Sequence, residues 1–438
     1  MRGRVSIGVD FGTTNTVVAI ARPGEAARAV TFRDDSETSD IYRSVLLFEK
    51  GLSARGLDLE VHAGLAAIRA YLTSVAELRF IQSFKSHVAS PAFEETRVFG
   101  RRLKFEDLLA TFFRRALTDA DGTIDPAGAQ IVSGRPVAFV GAAPDEALAA
   151  QRYGEAYRRV GVTVPAYVYE PVGAAFYYAQ RLKSDALVLV ADFGGGTSDF
   201  SLIRFARHGD VVTAAPLGHA GVAVAGDSFD YRIIDAIVSP CLGKGTFFRS
   251  MGKVLPVPQG YFSSFARWHQ LAMLKTPEHI RALEALARAS LSPDKIRHFL
   301  EVIRNDWGFN IYRAVSDAKA TLSAAPHAAL DLRLGDLVIE QEIARADFEA
   351  WIADDIARLA ATVDTLLARE KITVEAIDSV FLTGGSSFIP AVRRIFEDRF
   401  GIGRLADGEN FQSVAFGLSL IGLEPDLTPW LATPAPSA

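Results

Sequence analysis

Two stretches of the chain carry the same order of apolar and polar positions. Val5 to Val9 and Val17 to Ala21 are apolar on either side of the turn FGTTNT, and Ala186 to Ala191 and Phe200 to Phe205 are apolar around FGGGTSD. Apolar runs that flank a turn rich in Gly and Thr predict a β-hairpin. Because the second copy follows the first by 182 positions, we expect an internal repeat and two lobes related by a pseudo-two-fold axis.

Other apolar runs predict further strands, and apolar residues at helical spacing predict helices. The predicted strands are Ala29 to Arg33, Val45 to Phe48 and Val211 to Pro216. The predicted helices are Phe105 to Leu117, Pro144 to Val160, Glu170 to Leu182 and one that begins near Asp227. Pro144 suits a first helical turn, where no backbone N–H is needed.

The pattern changes at Pro240. From there to about Arg313 we expect a mostly helical inserted subdomain, which opens with the Gly- and Pro-rich loop GKGTFFRSMGKVLPVPQG and has helices starting at Pro277 and Pro293. The remaining prediction consists of strands Ala329 to Leu332 and Leu337 to Ile339, a long helix Arg345 to Glu370, the strand IDSVFLT, a Gly-Gly-Ser turn and two helices.

The 438 residues exceed what one core holds, since domain cores stop growing at about 250–300 residues. We therefore expect an α/β protein of two lobes. Lobe I takes residues 1–185, with a small subdomain at about 39–107, and is completed by a C-terminal helix at 410–423. Lobe II takes residues 186–409, with the insertion at about 228–316. Residues 424–438 are expected to form an irregular tail, because they contain four prolines.

Composition narrows the class of protein. Hydrophobic residues make up 49% and charged residues 23% of the chain, as in ordinary globular proteins. The net charge of -5 and the lack of a basic run argue against nucleic-acid binding. There is one cysteine, Cys241, and no apolar run long enough for a signal peptide or a membrane helix. These features predict a cytoplasmic protein with neither a nucleic-acid nor a membrane partner.

The repeated turns also predict chemistry. Glycines let the backbone approach a ligand, and clustered backbone N–H groups bind anions, so two such turns could hold one polyphosphate. Asp10, Asp192 and Asp199 border the turns, and carboxylates repel phosphate unless a cation lies between them. Mg²⁺ binds through one or two carboxylates together with phosphate oxygens, so we expect Mg²⁺. The P-loop signature GxxxxGK[ST], HExxH and GxSxG are all absent from the sequence.

Seven segments, in order, resemble the nucleotide-binding part of the DnaK-like heat-shock protein 70 chaperones, in the actin-like ATPase superfamily. They are VDFGTTNTVVAI, YEPVGAAFYYAQRL, VLVADFGGGTSDF, VAGDSFD, DAKATLS, VFLTGGSSFIPAV and VAFGLSL. The resemblance implies two ribonuclease-H-like lobes with ATP or ADP and Mg²⁺ in the cleft between them.

The resemblance also implies roles for individual residues. The phosphate turns would be Gly12, Thr13 and Thr14, and Gly194, Gly195, Gly196 and Thr197. Asp10, Asp192 and Glu170 would hold Mg²⁺ through water, Lys85 would contact the terminal phosphate, and Asp192 or Asp199 would place the attacking water. Other nucleotide contacts would be Gly226, Lys319, Ser323, Gly384, Gly385 and Ser386.

The chain departs from this family in two ways. Ser316, Ala320, Phe388 and Phe411 stand where the family usually has Glu, Arg, Arg and Asp near the adenosine, so base selectivity is open. The chain also ends soon after VAFGLSLIG, without a peptide-binding domain, which resembles the short YegD-type branch.

We therefore expect a chaperone-like, Mg²⁺-dependent ATPase that hydrolyses ATP slowly, with co-chaperone and client unidentified. A pseudo-enzyme that only binds nucleotide stays open. An actin-like filament protein and a sugar-type kinase are alternatives on the same fold, but no acceptor-activating Asp for a kinase is identified.

Overall fold

The architecture is that of a computed structural model that describes residues 5–34, 37–53, 56–74, 76–139, 143–162, 165–180, 182, 184–208, 211–267, 274–407 and 412–432. The chain divides into two compact units. The first unit comprises Met1–Ala223, Ala361–Ser387 and Phe396–Ala438, and the second comprises Val224–Ala360 and Phe388–Ile395. None of the helices in these ranges is long and apolar enough to cross a membrane.

The strands of the described residues are β1 Val5–Phe11, β2 Asn15–Ala21, β3 Arg28–Ala29, β4 Phe32–Asp34, β5 Glu37–Ser39, β6 Tyr42–Arg43, β7 Val45–Ser53, β8 Gly56–Ala63, β9 Leu78–Gln82, β10 Thr96–Val98, β11 Arg101–Leu103, β12 Ala129–Arg135, β13 Ala166–Tyr169, β14 Ala186–Phe193, β15 Ser198–His208, β16 Val211–Val222, β17 Phe247–Ser250, β18 Lys253–Pro256, β19 His327–Leu334, β20 Leu337–Ala344, β21 Ser379–Thr383 and β22 Leu405–Asp407.

The α-helices are α1 Gly64–Thr73, α2 Phe105–Asp119, α3 Glu146–Arg158, α4 Glu170–Ala179, α5 Gly226–Ile233, α6 Ser239–Cys241, α7 Gln259–Phe265, α8 Pro277–Ala289, α9 Pro293–Arg304, α10 Gly308–Ala324, α11 Arg345–Trp351, α12 Ala353–Glu370, α13 Pro390–Phe400 and α14 Ser413–Ile421. Short 3₁₀ helices include Phe84–His87, Gly385–Phe388 and Thr428–Trp430.

The two largest sheets of the first unit have the same topology. One has the order β13-β12-β1-β2-β3, with β6 as an additional strand paired to β2, and the other has the order β22-β21-β14-β15-β16. The strand that comes first in the chain is β1 in one sheet and β14 in the other. Each pairs antiparallel with the next strand of the chain, β2 or β15, and parallel with a much later strand, β12 or β21. The internal repeat predicted from the two hairpins is therefore confirmed as a repeat of sheet topology, and the fold class is mixed α/β. The arrangement of two lobes stays a prediction.

Helices α4 and α14 link the two sheets within this unit. Helix α4 follows β13 but packs on β14 and β15, whereas α14 follows β22 and packs on β1, β2 and β12. The two helices also pack on each other at Gly173 and Gly417, where a Cβ added to Gly417 would lie 1.7 Å from the Gly173 carbonyl oxygen. Only glycine permits this approach.

Aromatic side chains fill the core behind β1. Phe11 is 1% exposed, and its ring contacts those of Phe84, Phe112, Phe113 and Tyr153 at centroid distances of 5.5 to 6.3 Å. A separate core cluster contains Val188, Val190, Phe381 and Leu418 together with Trp430. These cores fix the strand ends that carry the candidate site.

Several element predictions need correction. The run Ala29 to Arg33 is split between β3 and β4, and the helix predicted from Pro144 begins at Glu146, because Asp145 is its N-cap and accepts from the Leu148 N–H. The Gly- and Pro-rich loop contains the hairpin β17–β18, whose tip residues Met251 and Gly252 both have positive φ, as such tight turns require.

The C-terminal half contains three further differences. The helix predicted as Arg345 to Glu370 is broken at the buried Ile352 into α11 and α12, and the short strand β22 was not predicted. Part of the expected irregular tail is ordered: Trp430 is buried, and its ring meets that of Phe176 edge-on at 4.8 Å. Residues 433–438 of that predicted tail lie outside the described residues.

Candidate functional site

The two glycine turns are closed by the same hydrogen bond. The Gly12 N–H donates to the Asn15 carbonyl, and the Gly194 N–H donates to the Thr197 carbonyl, each at 2.9 Å. The N–H groups that follow each glycine, at residues 13–14 and 195–196, donate no hydrogen bond within the described part of the chain. Each turn thus presents free backbone donors, which is the requirement for binding an anion.

Ser44 braces the first turn. Its N–H donates to the Thr14 carbonyl at 2.9 Å, and its hydroxyl donates to the Gly12 carbonyl at 2.7 Å. The Ser44 hydroxyl also lies 2.9 Å from that of Thr16. These contacts fix the Gly12 and Thr14 carbonyls and leave the Thr13 and Thr14 N–H groups available to bind an anion.

The Gly-Gly-Ser turn lies against the second glycine turn. Gly384 has a φ of +85°, and a Cβ there would lie 2.1 Å from the Phe193 carbonyl oxygen. The chain then forms the 3₁₀ helix that contains Gly385 and Ser386, with Ser386 buried. The predicted contacts Gly384, Gly385 and Ser386 are therefore in the same unit as both hairpin turns.

The carboxylates beside the turns lie on paired strands. Asp10 faces Val17 across β1 and β2, whereas Asp192 and Asp199 face each other across β14 and β15. Asp199 is 2% exposed and accepts from the Val137 and Ala138 N–H groups, at 2.9 and 3.2 Å, and from the Thr197 hydroxyl, at 2.9 Å. Like charges directly opposite on a ladder are destabilising.

Lys85 and Glu170 form a buried ion pair. The Lys85 ammonium donates to Glu170 Oε1 at 2.7 Å, and the two residues are 8% and 7% exposed. Lys85 also lies over the Phe11 ring, with Nζ 5.9 Å from the centroid. Glu170 is the first residue of α4 and Pro171 the second, and both positions suit their residue types.

Electrostatic coupling links these groups. Burial, and then Glu170, raises the pKa of Asp10 to about 7 and that of Asp199 to about 7. Burial, Glu170, Asp10 and Asp199 together raise the pKa of Asp192 well above its usual range. For Lys85, burial acts to lower the pKa, but Glu170 and its other anionic neighbours outweigh it and the net pKa is raised. The structure thus brings Asp10, Lys85, Glu170, Asp192 and Asp199 together.

The charge of this group fits a divalent cation. Four carboxylates share a single ammonium, and burial, followed by the neighbouring carboxylates, raises the pKa values of Asp10, Asp192 and Asp199. Buried charges are stable only when they are paired or coordinate a metal. Carboxylate oxygens are the hard ligands that Mg²⁺ prefers, so the donor set suits Mg²⁺.

The remaining predicted contacts are in the second unit. The Lys319 ammonium donates to the Gly226 carbonyl at 3.1 Å and lies 2.8 Å from Asp230 Oδ1. The Ser323 hydroxyl donates to the Lys319 carbonyl at 3.1 Å. Gly226, Lys319 and Ser323 are thus brought together, and Asp230 is a partner that sequence reasoning did not single out. Among the departures, Ser316, Ala320 and Phe388 are exposed, while Phe411 lies outside the described residues.

A different set of possible metal ligands occurs on β7 and β8. One ligand atom each from Glu49, Glu60 and His62 lies within 4.8 Å of the others. His62 Nε2 is 3.7 Å from Glu49 and 3.6 Å from Glu60. The His62 ring thus approaches both glutamate side chains.

Sequence reasoning missed two kinds of group at the site. The Val137 and Ala138 N–H groups that donate to Asp199 are backbone groups, so the residue types at these positions do not indicate them. Tyr153 interacts electrostatically with Lys85 and Glu170, but a tyrosine on the apolar face of a helix reads as ordinary core.

Comparisons with known proteins agree with the resemblance. Residues 307–422 match the family model "Hsp70 protein". The chain is 24% identical over 404 residues to the chaperone protein DnaK of Deinococcus deserti, and the match covers 90% of this chain and 56% of that protein. It is 25% identical over 442 residues to a chaperone protein HscA homolog of Burkholderia pseudomallei, covering 95% of this chain and 58% of the homolog.

A DnaK of Cyanidioschyzon merolae is 25% identical over 411 residues, with coverage of 90% and 58%. The chain thus spans a little over half the length of the curated relatives it matches. These matches support a relationship to the Hsp70 family, and the mixed α/β architecture is consistent with that family's actin-like ATPase fold.

Proposed function

We propose that the chain is a chaperone-type ATPase of the Hsp70 kind, which binds ATP or ADP with Mg²⁺ and hydrolyses ATP slowly. One observation carries the proposal: two identically closed glycine turns, on sheets that share a five-strand order, adjoin Asp10 and Asp192, and these two carboxylates are coupled electrostatically to Glu170 and Lys85. The free N–H groups of the turns suit phosphate oxygens. The actin-like cleft between two lobes is part of this proposal.

Each side chain takes a role that its surroundings support. Asp10, Asp192 and Glu170 would hold Mg²⁺ through water, and the bound ion supplies positive charge that offsets the phosphates. Lys85 would contact the terminal phosphate, since within the described part of the chain only one of its three protons is engaged, by Glu170. Phosphoryl transfer depends mainly on such positioning and charge stabilisation.

Asp192 is the stronger candidate to accept the proton of the attacking water. Asp199 already accepts three hydrogen bonds, and these hold its oxygens toward Val137, Ala138 and Thr197. The Asp192 carboxylate has no hydrogen bond within the described residues, and its burial raises its pKa, which increases its basicity. Asp199 then orients the second turn.

The contacts in the second unit would serve the nucleoside. Lys319 and Ser323 lie on one face of α10, four residues apart, beside Gly226. Because Ser316, Ala320 and Phe388 differ from the residues usual in the family, we expect weak discrimination among purine bases.

The test uses two variants of the site and two matched surface variants. Binding of Mg·ATP and Mg·ADP is measured by titration calorimetry, and turnover by phosphate release, for the wild type, Lys85→Ala and Asp192→Asn. We expect near-normal binding and turnover lowered about 10²-fold or more, as for loss of a charge-stabilising or proton-transfer group. Lys50→Ala and Asp364→Asn remove surface partners of Glu77 and Arg399 and should leave turnover unchanged.

The result also separates the alternatives. Equal turnover in the wild type and both site variants would refute the mechanism. Turnover that appears only with an added sugar would indicate a kinase, and ATP-dependent sedimentation would indicate a filament protein. Binding without turnover in the wild type would indicate a pseudo-enzyme.

A further inference from the structure

Tyr153 occupies the core directly behind the candidate site. It lies on α3, is 2% exposed, and its ring meets that of Phe11 edge-on at 6.3 Å. Lys85 lies over the same Phe11 ring, at 5.9 Å. The phenol and the ammonium are thus held by one aromatic side chain, at the end of the strand that carries Asp10.

The hydroxyl of Tyr153 is buried and forms no hydrogen bond with any described residue. Leaving a buried hydroxyl unpaired is costly. Tyr157, one turn further along the same helix, is also buried, but it donates to the Ser133 hydroxyl at 2.8 Å. The fold therefore can satisfy a tyrosine here, and the unpaired hydroxyl of Tyr153 calls for a reason.

The surroundings of that hydroxyl supply the reason. Among the charged groups around Tyr153, Lys85 has the largest electrostatic effect, followed by Glu170, Arg135 and Asp10. Among the residues that the structure describes, Lys85 forms one hydrogen bond, to Glu170, so two of its protons are available to a ligand. A phosphate that engages Lys85 competes with Glu170 for the ammonium.

We propose that Tyr153 is a positioning residue for Lys85, an inference that rests on the function proposed above. When phosphate draws Lys85 from Glu170, the Tyr153 oxygen accepts a hydrogen bond from the ammonium, and its O–H donates to the carboxylate that Lys85 has left. The hydrogen bonds rearrange without any proton transfer. The hydroxyl is unpaired in the ligand-free chain because Lys85 and Glu170 then bond to each other rather than to Tyr153.

The decisive measurement is thermal unfolding of Tyr153→Phe, which removes only the oxygen atom. Without ligand, we expect the variant to unfold about 1–3 °C above the wild type, because an unpaired buried hydroxyl has been removed. With saturating Mg·ADP and inorganic phosphate, the unfolding temperature of the wild type should rise more than that of the variant, so that the difference between the two shrinks or reverses. Tyr157→Phe, which loses a real hydrogen bond, should unfold below the wild type in both states.

Kinetics supply the second readout. Tyr153→Phe should lower kcat about tenfold with KM for ATP little changed, as for a lost hydrogen bond to a charged group. Two results would overturn the role of Tyr153. One is a ligand-free Tyr153→Phe that unfolds at a lower temperature than the wild type, and the other is a variant whose unfolding temperature rises with Mg·ADP and phosphate as much as that of the wild type. A wild type that gains nothing from nucleotide contradicts the proposed function instead.

Discussion

The two glycine hairpins of the first unit share a frame but differ in charge. Each begins with Asp-Phe-Gly, and each closes with an N–H to carbonyl bond of 2.9 Å. Opposite Asp10 the first hairpin has Val17, whereas opposite Asp192 the second has Asp199. The repeat therefore sets where the backbone donors lie, and one substitution within it makes the second hairpin the more acidic.

The two turns are also braced differently. A side chain from outside the hairpin, Ser44, holds the first turn through its hydroxyl and backbone. The second turn is approached by the backbone of Gly384, and its own Asp199 binds Thr197. The difference teaches that duplicated backbone geometry can be kept while its support and its chemistry diverge.

The largest expected effect comes from separating the helices that join the two sheets. Gly417→Ala would place a Cβ 1.7 Å from the Gly173 carbonyl oxygen, so α4 and α14 must move apart. We expect a loss of about 3–5 kcal/mol in the free energy of unfolding, measured by urea denaturation.

Two other glycine-to-alanine variants serve as comparisons for that result. Gly173→Ala, whose new Cβ would meet its nearest atoms at 3.0 Å, should cost about 1–2 kcal/mol. Gly154→Ala lies in α3 with nothing within 4 Å of the added carbon and should gain about 0.5–1 kcal/mol. If all three variants behaved alike, the close helix approach would not hold the repeat together.

The buried carboxylates of the two hairpins predict a dependence of stability on pH. The pKa of Asp199 is raised to about 7, as is that of Asp10, so the folded chain binds these protons more tightly than the unfolded chain does. Their favourable contribution is complete below pH 3.8 and is lost as the pH rises through 7. We expect ligand-free stability to fall by about 2–4 kcal/mol on this account.

Asp192→Asn isolates the effect, because it removes one like charge from the group. Its stability relative to the wild type should rise between pH 5 and pH 8 by about 1–3 kcal/mol, and adding Mg²⁺ at pH 8 should raise the wild type more than the variant. Asp364→Asn, which removes a partner of Arg399 on the surface, serves as the control. A flat difference between pH 5 and pH 8 would contradict the electrostatic account of the second hairpin.

Local pattern was enough to predict the hairpins and most helices. The apolar runs around FGTTNT and FGGGTSD predicted β1, β2, β14 and β15, because burial on both faces selects apolar residues. Pro277 and Pro293 marked the first residues of α8 and α9, since proline has a preferred place in a helix. Asp10, Asp192 and Asp199 were singled out for a related reason: they adjoin the same turns. Glu170 and Lys85 followed only from the family resemblance.

Other features depend on contacts that local pattern does not encode. The order of strands in each sheet, the exchange of α4 and α14 between sheets and the burial of Trp430 are set by packing between distant segments. The bonds from Val137 and Ala138 to Asp199 use backbone groups, which every residue carries. Met251 at the tip of β17–β18 adopts a φ of 48°, which its residue type does not suggest.

The smallest expected effect tests the braces. Ser44 and Thr16 form a buried hydroxyl pair beside the first hairpin, and Thr383 and Ser413 form one beside the second, each at 2.9 Å. Ser44→Ala also removes the bond to the Gly12 carbonyl, so it leaves two groups unpaired where Ser413→Ala leaves one. We expect losses of about 2 and 1 kcal/mol in the free energy of unfolding. Amide exchange at Gly12, whose N–H closes the first turn, should rise only in Ser44→Ala, since the bond to the Gly12 carbonyl fixes the first turn alone. Equal losses, or faster exchange in both variants, would mean that the two turns share one support, and the contrast between side-chain and backbone bracing would have to be abandoned.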